Sequence, residues 1–185
     1  MNRRQFVAGC GVAITTATAG CLDSVPVLGS DGPSADTPAG VVEIYINLQE
    51  KMFSDPESAQ ERLSEITHSQ SPQQRQGNAG GSFSQNGDLK VTNINGINTR
   101  TRDLSTEQMR ALANSEFTDQ PLLDASVIET LSSQETALVD ASYDTDAEFE
   151  IEGETREFQN TNKRRFLVAT EDGKWRIVLQ TPGGA

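Results

Sequence analysis

The chain has 185 residues, with 27 Asp+Glu against 15 Lys+Arg and a formal net charge of −12. Carboxylates spread along its whole length repel a phosphate backbone and leave no basic patch from which counterions could be released, which excludes nucleic acid as a partner. With a single histidine and two cysteines, a zinc site or a catalytic triad built on His68 is not expected.

Met1 to Arg4 form a short basic start, followed by Gln5-Phe6-Val7 and a weakly apolar run from Ala8 to Ala19 that ends in Gly20-Cys21. That run is shorter than the ~20 apolar residues a permanent membrane-spanning helix needs. Arg3-Arg4-Gln5-Phe6-Val7 resembles the twin-arginine export motif, and Thr18-Ala19-Gly20-Cys21 resembles a lipobox with Thr where Leu is usual. Residues 1–21 are therefore read as a twin-arginine lipoprotein signal. The resemblance implies export after folding and an extracytoplasmic protein tethered to the cell membrane through lipid on Cys21. Stable tethering needs two acyl chains, since one holds a protein only marginally. Cys10 leaves with the signal, so the mature chain keeps one cysteine and can form no internal disulfide. Without Arg3 and Arg4, 13 basic residues face 27 acidic ones, a net charge of −14. A surface so acidic and so poor in Lys suits concentrated salt, where self-repulsion is screened over ~3 Å. Together with the signal it resembles a haloarchaeal exported lipoprotein; an ordinary acidic secreted protein is the alternative.

Residues 22–36, rich in Ser, Gly, Pro and Asp, read as a flexible spacer. A single domain over 37–181 follows. Asp36 or Thr37 caps a helix with Pro38 in its first turn, and Val41, Val42, Tyr45, Leu48, Met52 and Phe53 give it one apolar face. Pro56 opens a second helix to about Ile66. The stretch from His68 to Gly87, full of Ser, Gln, Gly and Asn, reads as a mobile loop with His68 as a surface residue. A strand over Leu89 to Thr101 leads to a helix with a capping box at Ser105 and Gln108. Residues 115–133 read as loop with a short helix near Ala125 to Leu131.

From Asp140 to Ile151 the sequence alternates, with Asp144, Asp146, Glu148 and Glu150 on one side and Tyr143, Thr145, Ala147, Phe149 and Ile151 on the other, as in a half-buried strand. Tight turns at Glu152-Gly153 and Asp172-Gly173 set two registers. The first places Ala147 opposite Phe158, Val139 opposite Phe166 and Ala137 opposite Val168. The second places Val168 opposite Ile177 and Phe166 opposite Leu179. Both put their apolar residues, with Trp175, on one face, which argues for a three-stranded antiparallel meander.

The order helix, helix, strand, helix and three long strands closing on Gly-Lys-Trp-Arg-Ile-Val resembles the NTF2-like (SnoaL-like, cystatin-related) superfamily over residues 36–181. The implied fold is α+β: a curved antiparallel sheet of about four strands wrapped around an N-terminal helix, the NTF2-like cone. Its members include isomerases, small-ligand binders and accessory domains. The enzymes use a pocket Asp or His with a Tyr donor; here the inner face offers Tyr143, Thr145, Asn160, Asn162 and Arg164, which suit an anionic or carbonyl ligand but bring no inward base. No catalytic residue, metal site or cofactor is assigned. The acidic stripe is spaced at ~7 Å and diverges, so it suits solvation rather than an ion cage. Asp140 and Arg165 pair across strands. Leu138, Leu167 and Val178 form an apolar row on the outer face, to be covered either by a second copy packing sheet on sheet or by residues 115–133. The leading reading is a non-enzymatic, membrane-anchored accessory or small-ligand-binding module. The alternatives are an isomerase-like small-molecule enzyme and a structural protein-interaction domain.

Overall fold

The computed structural model describes residues 33–75, 87–114, 122–151 and 154–183. The signal region with Arg3, Arg4 and Cys21, and the Glu152-Gly153 turn, lie outside the described residues.

Helix α1 spans Pro38–Ser54. Thr37 caps it, its Oγ1 accepting the Gly40 N–H at 3.0 Å, and Pro38 supplies a preset φ where no N–H is needed. Asp55 ends α1 by donating its N–H to the Lys51 carbonyl, then caps α2, Pro56–Ile66, with its carboxylate toward the Ser58 N–H. A short α3, Pro72–Arg75, follows. The strands are β1, Gly87–Arg102, β2, Thr136–Ile151, β3, Glu154–Glu171, and β4, Lys174–Pro182. Between β1 and β2 lie α4, Thr106–Ala113, and α5, Ala125–Leu131. The α4 capping box is complete, with Ser105 Oγ accepting the Gln108 N–H and Gln108 Oε1 accepting the Ser105 N–H at 2.8 Å. Asp124 opens α5 by accepting the Val127 N–H at 3.0 Å.

The four strands form one antiparallel sheet in the order β1-β2-β3-β4. The architecture is α+β, a four-stranded antiparallel sheet with helices packed on it. β2 and β3 pair without interruption, with Ala147 opposite Phe158, Val139 opposite Phe166 and Ala137 opposite Val168. Asp172 and Gly173 turn β3 into β4 with φ of 52° and 75°, the positive pair of a type I′ hairpin turn.

Two of the expected positions need correction. Val168 faces Ile177, but a bulge between Leu167 and Val168 then sets Leu167 against Leu179 and Phe166 against Gln180. The extra residue turns Leu179 from the inner to the outer cluster. Phe158 is not drawn into the core either: it is 47 % exposed, because β3 runs on past the cover of α1.

The inner face packs on α1 and α2. Val41, Val42, Ile46, Leu63 and Ile66 meet Val139, Tyr143, Phe166, Val168, Trp175 and Ile177 in one cluster. The outer face packs on α4 and α5, where Met109, Val127, Ile128 and Leu131 close over Leu167, Ala169 and Val178, with half-buried Leu138 beside them. The outer row Leu138, Leu167 and Val178, expected to be covered either by a second copy or by residues 115–133, is covered by α4 and by α5 from within that segment; Leu167 is 2 % and Val178 1 % exposed. β3 shows both regimes, exposed from Glu154 to Thr161 and fully buried from Phe166 to Ala169.

Candidate functional site

The polar strip on the inner face starts where apolar packing stops. Tyr143 sits on β2 opposite Asn162, and Thr145 opposite Asn160. Tyr143 is 1 % exposed, so it does not stand at a rim, and its hydroxyl accepts from Gln49 Nε2 of α1 at 2.7 Å. One turn earlier on α1, Tyr45 packs edge-on against Phe166 with ring centroids 5.4 Å apart. Burial pushes the Tyr45 phenol up to about 12; the nearby Tyr143 adds to the shift, and the positive Arg164 opposes it.

Further along, Asn162 Nδ2 donates to Thr145 Oγ1 at 3.0 Å and Asn160 Nδ2 donates to Asn162 Oδ1 at 3.2 Å. Asn160 is exposed, Asn162 and Arg164 half-buried, and Thr145 only 6 % exposed. Arg164 stands apart from this ladder. Its Nε is buried and has no hydrogen-bond partner among the described residues. A buried N–H left unpaired costs ~1–3 kcal/mol, so this guanidinium is poised to take an acceptor.

The structure therefore joins Thr145, Asn160 and Asn162 by hydrogen bonds and leaves Tyr143 and Arg164, on the same face, outside that ladder. It adds Tyr45 and Gln49, which sequence reasoning assigned to the helix's packing face or passed over. Their only signal was their position on the turn of α1 that faces the end of the apolar run. The strip's side chains donate hydrogen bonds and carry one positive charge; none is a carboxylate or an imidazole. Such a set can hold an anion or a carbonyl oxygen but offers no general base.

Three concavities border this region; Thr145 and Asn160 of the strip line one of them, and none of the three is lined by Arg164 or Tyr143. One of about 50 Å³ is lined by Tyr45, Thr67, Ser71, Ile177 and Gln180, room for little more than water. Two shallow ones, of about 170 and 390 Å³, lie along the acidic stripe, the first lined by Asp88, Lys90, Asp146 and Glu157 and the second by Thr92, Asp144 and Thr161. Among the described residues, no group of three His, Cys, Asp or Glu is placed to hold a metal ion, and no helix is long and apolar enough to cross a membrane.

His68 corrects the reading of it as a surface residue. It is fully buried, its Nε2 lying 3.0 Å from Gln134 Oε1 and its Nδ1 accepting the Gln70 N–H at 3.0 Å. An Nδ1 that accepts leaves the proton on Nε2, so Gln134 is the acceptor of that bond. The chain turns inward here because Thr67 bridges to Ile177 in parallel and His68 N–H bonds the Ile177 carbonyl at 2.9 Å. Beside it, Ser69 donates its backbone N–H and its hydroxyl to Glu171, which also pairs with Arg176 at 3.3 Å. The Glu171 carboxyl sits below its ordinary range: burial opposes this, but the Ser69 hydrogen bonds and the charge of Arg176 outweigh it. These bonds clasp the segment after α2 to the β3–β4 hairpin, although the Arg176 Nε, like that of Arg164, is buried without a hydrogen-bond partner among the described residues.

No protein-family model matches the chain, and no curated protein matches it. Among solved structures it is similar to the intermembrane space region of the chloroplast protein ARC6, at 13% sequence identity and a TM-score of 0.48, covering 82% of this chain and 97% of that one.

Proposed function

We infer that this chain is an exported lipoprotein whose NTF2-like domain is a non-enzymatic accessory module, held at the outer side of the cell membrane by lipid on Cys21 and binding a small anionic ligand through Arg164. The observation that carries the ligand reading is the buried, unpartnered Nε of Arg164, set beside Tyr45 and Tyr143 and at the end of the Asn160-Asn162-Thr145 ladder. A carboxylate accepts from a guanidinium in a two-pronged fork, which gives the chemistry its direction. The superfamily reading is supported by the α1-packed antiparallel meander, and the salt-adapted reading by the net charge of −12. An isomerase-like activity would need a base on the strip, and Tyr143, Thr145, Asn160, Asn162 and Arg164 supply none.

The ligand reading is tested by titrating the full chain with benzoate and with acetate while following the Arg164 Nε–H resonance by NMR. A saturable Nε–H shift is expected, with saturable shifts of the Tyr143 and Asn162 backbone amides that are lost in Arg164→Gln. Titration that moves no Nε–H signal, or backbone shifts that saturate equally in the variant, rejects it. The anchoring reading is tested separately: Cys21→Ser should release the protein from the membrane fraction, and Arg3→Lys with Arg4→Lys should block export.

A further inference from the structure

Beyond the reach of β4, β3 has a neighbour on one side only among the described residues. β4 pairs with β3 from Glu171 to Arg164, and the Gly183 N–H, donating to the Lys163 carbonyl at 2.9 Å, closes that side of the ladder. Earlier in β3, Glu154 to Asn162 pair with β2 in unbroken register, and among the described residues no strand pairs with their other side. Peptide groups alternate along a strand. Because the Lys163 carbonyl points away from β2, the N–H and C=O groups of Thr161, Gln159, Glu157 and Thr155 point away as well. These groups make an open sheet edge, the kind that templates another strand.

What fits this edge follows from its symmetry and charge. Bulges commonly blunt an exposed edge, and β1, at the other side of the sheet, has three register shifts; the β2–β3 ladder has none. In the middle of Glu154–Asn162 stands Phe158, the exposed large hydrophobic of the described residues, its ring 6.0 Å from that of Phe149. An antiparallel pair related by a two-fold axis through the sheet must have one residue that faces itself. With Phe158 in that role, Glu157 meets Gln159, Arg156 meets Asn160, Thr155 meets Thr161 and Glu154 meets Asn162. The outward peptide groups then fall opposite one another as hydrogen-bonded pairs, and no two like charges are opposed. Shifted one step toward the start of β3, Glu157 would face Glu157. Shifted one step the other way, the pairing would run onto Lys163 and Arg164, already bonded or paired to this chain's own Gly183 and Pro182.

We propose that the open edge of β3 joins a second copy of this chain, antiparallel and centred on Phe158, so that the two four-stranded sheets become one. The two-fold axis keeps both inner faces on the same side. Glu154 and Arg156 of one copy then sit against Asn162 and Asn160 of the other, and the polar strip becomes a surface that both copies build. The proposal does not depend on the anion reading, because Arg164 lies outside the paired stretch.

The full chain with Cys10→Ser and Cys21→Ser is the background for the test. Phe158→Cys should form a disulfide-linked dimer under mild oxidation, since self-facing residues of a non-hydrogen-bonded pair approach to ~4.5 Å between Cα atoms. Gln159→Cys should stay reduced, its self-distance exceeding the ~7 Å limit of a disulfide. With Phe158 intact, Gln159→Pro removes one outward N–H without touching the β2 ladder, and should halve the sedimenting mass while circular dichroism is unchanged. Equal crosslinking at the two positions, or a background chain that sediments as a monomer up to its solubility limit, overturns the proposal. If Phe158→Cys fails to fold, the Gln159→Pro comparison still decides it.

Discussion

The carboxylate of Asp140 holds the guanidinium of Arg165 across the β2–β3 ladder with two hydrogen bonds, from Nε at 2.8 Å and from Nη2 at 3.3 Å. From the other side, Arg100 Nε of β1 donates to the same carboxylate at 2.9 Å, so one side chain ties three strands. The Arg165 bond, with help from Arg100, keeps the Asp140 carboxyl below its ordinary range against the opposing effect of partial burial.

A carboxyl whose folded pKa is depressed contributes stability that is present above its unfolded pKa and is lost as pH falls through the folded value. Asp140→Asn should therefore cost about 1–2 kcal/mol at neutral pH. Below about pH 4 the wild type should lose this advantage, and the two stability curves should converge. Urea denaturation at a series of pH values checks it; a gap that stays constant on acidification would show that charge is not what ties the strands.

His68→Ala should destabilise by about 2–3 kcal/mol, since it empties a fully buried site and strips the Gln70 N–H and the Gln134 amide of their partners. Guanidinium denaturation measures the loss. A change within ~0.5 kcal/mol would mean that the clasp is ornamental.

Leu167→Ala should cost about 2–4 kcal/mol, because the side chain is packed between the sheet and α4–α5. Its mass in solution should stay that of the wild type. A changed mass with stability intact would return the outer row to the role of an interface between copies.

Gly173→Ala should cost about 1 kcal/mol: its φ of 75° strains any residue with a Cβ, although the space around it is open. A steric cause would instead be relieved by nothing, whereas Gly173→Asn should recover part of the loss, since Asn tolerates this region.

With a net charge of −12, self-repulsion should weaken the fold at low ionic strength. Raising sodium chloride from 0.1 to 2 M should raise the melting temperature by roughly 3–6 °C, equivalent to ~1–2 kcal/mol. A flat salt response would leave the acidic surface without a role in salt adaptation.

The β2–β3 register was legible because alternation and a two-residue turn leave only one alignment that buries Val139, Phe166 and Val168 together. The β4 register was legible up to Ile177 and lost at Val178, where a bulge inserts a residue between two apolar neighbours that fit either face. His68 was misread because Ser, Gln and Thr neighbours look like loop, yet the same residue types satisfy an imidazole inside a protein. The candidate site was legible on the strands, where the period of two separates faces. Tyr45 and Gln49 escaped because a helix residue's neighbours across the interface are fixed by packing that the chain's own spacing does not record.

β3 is sandwiched between two helical layers from Phe166 to Ala169 and bare from Glu154 to Thr161. A single strand thus behaves as a beam clamped at one end. Its free length has no interior of its own and borrows rigidity from the clamp through the β2 ladder. The amide protons of Asn160, Phe158 and Arg156, which face β2, should exchange progressively faster with distance from Phe166, and a weight hung on the tip, whether a partner strand or a ligand, would be felt first as a slowing of that gradient.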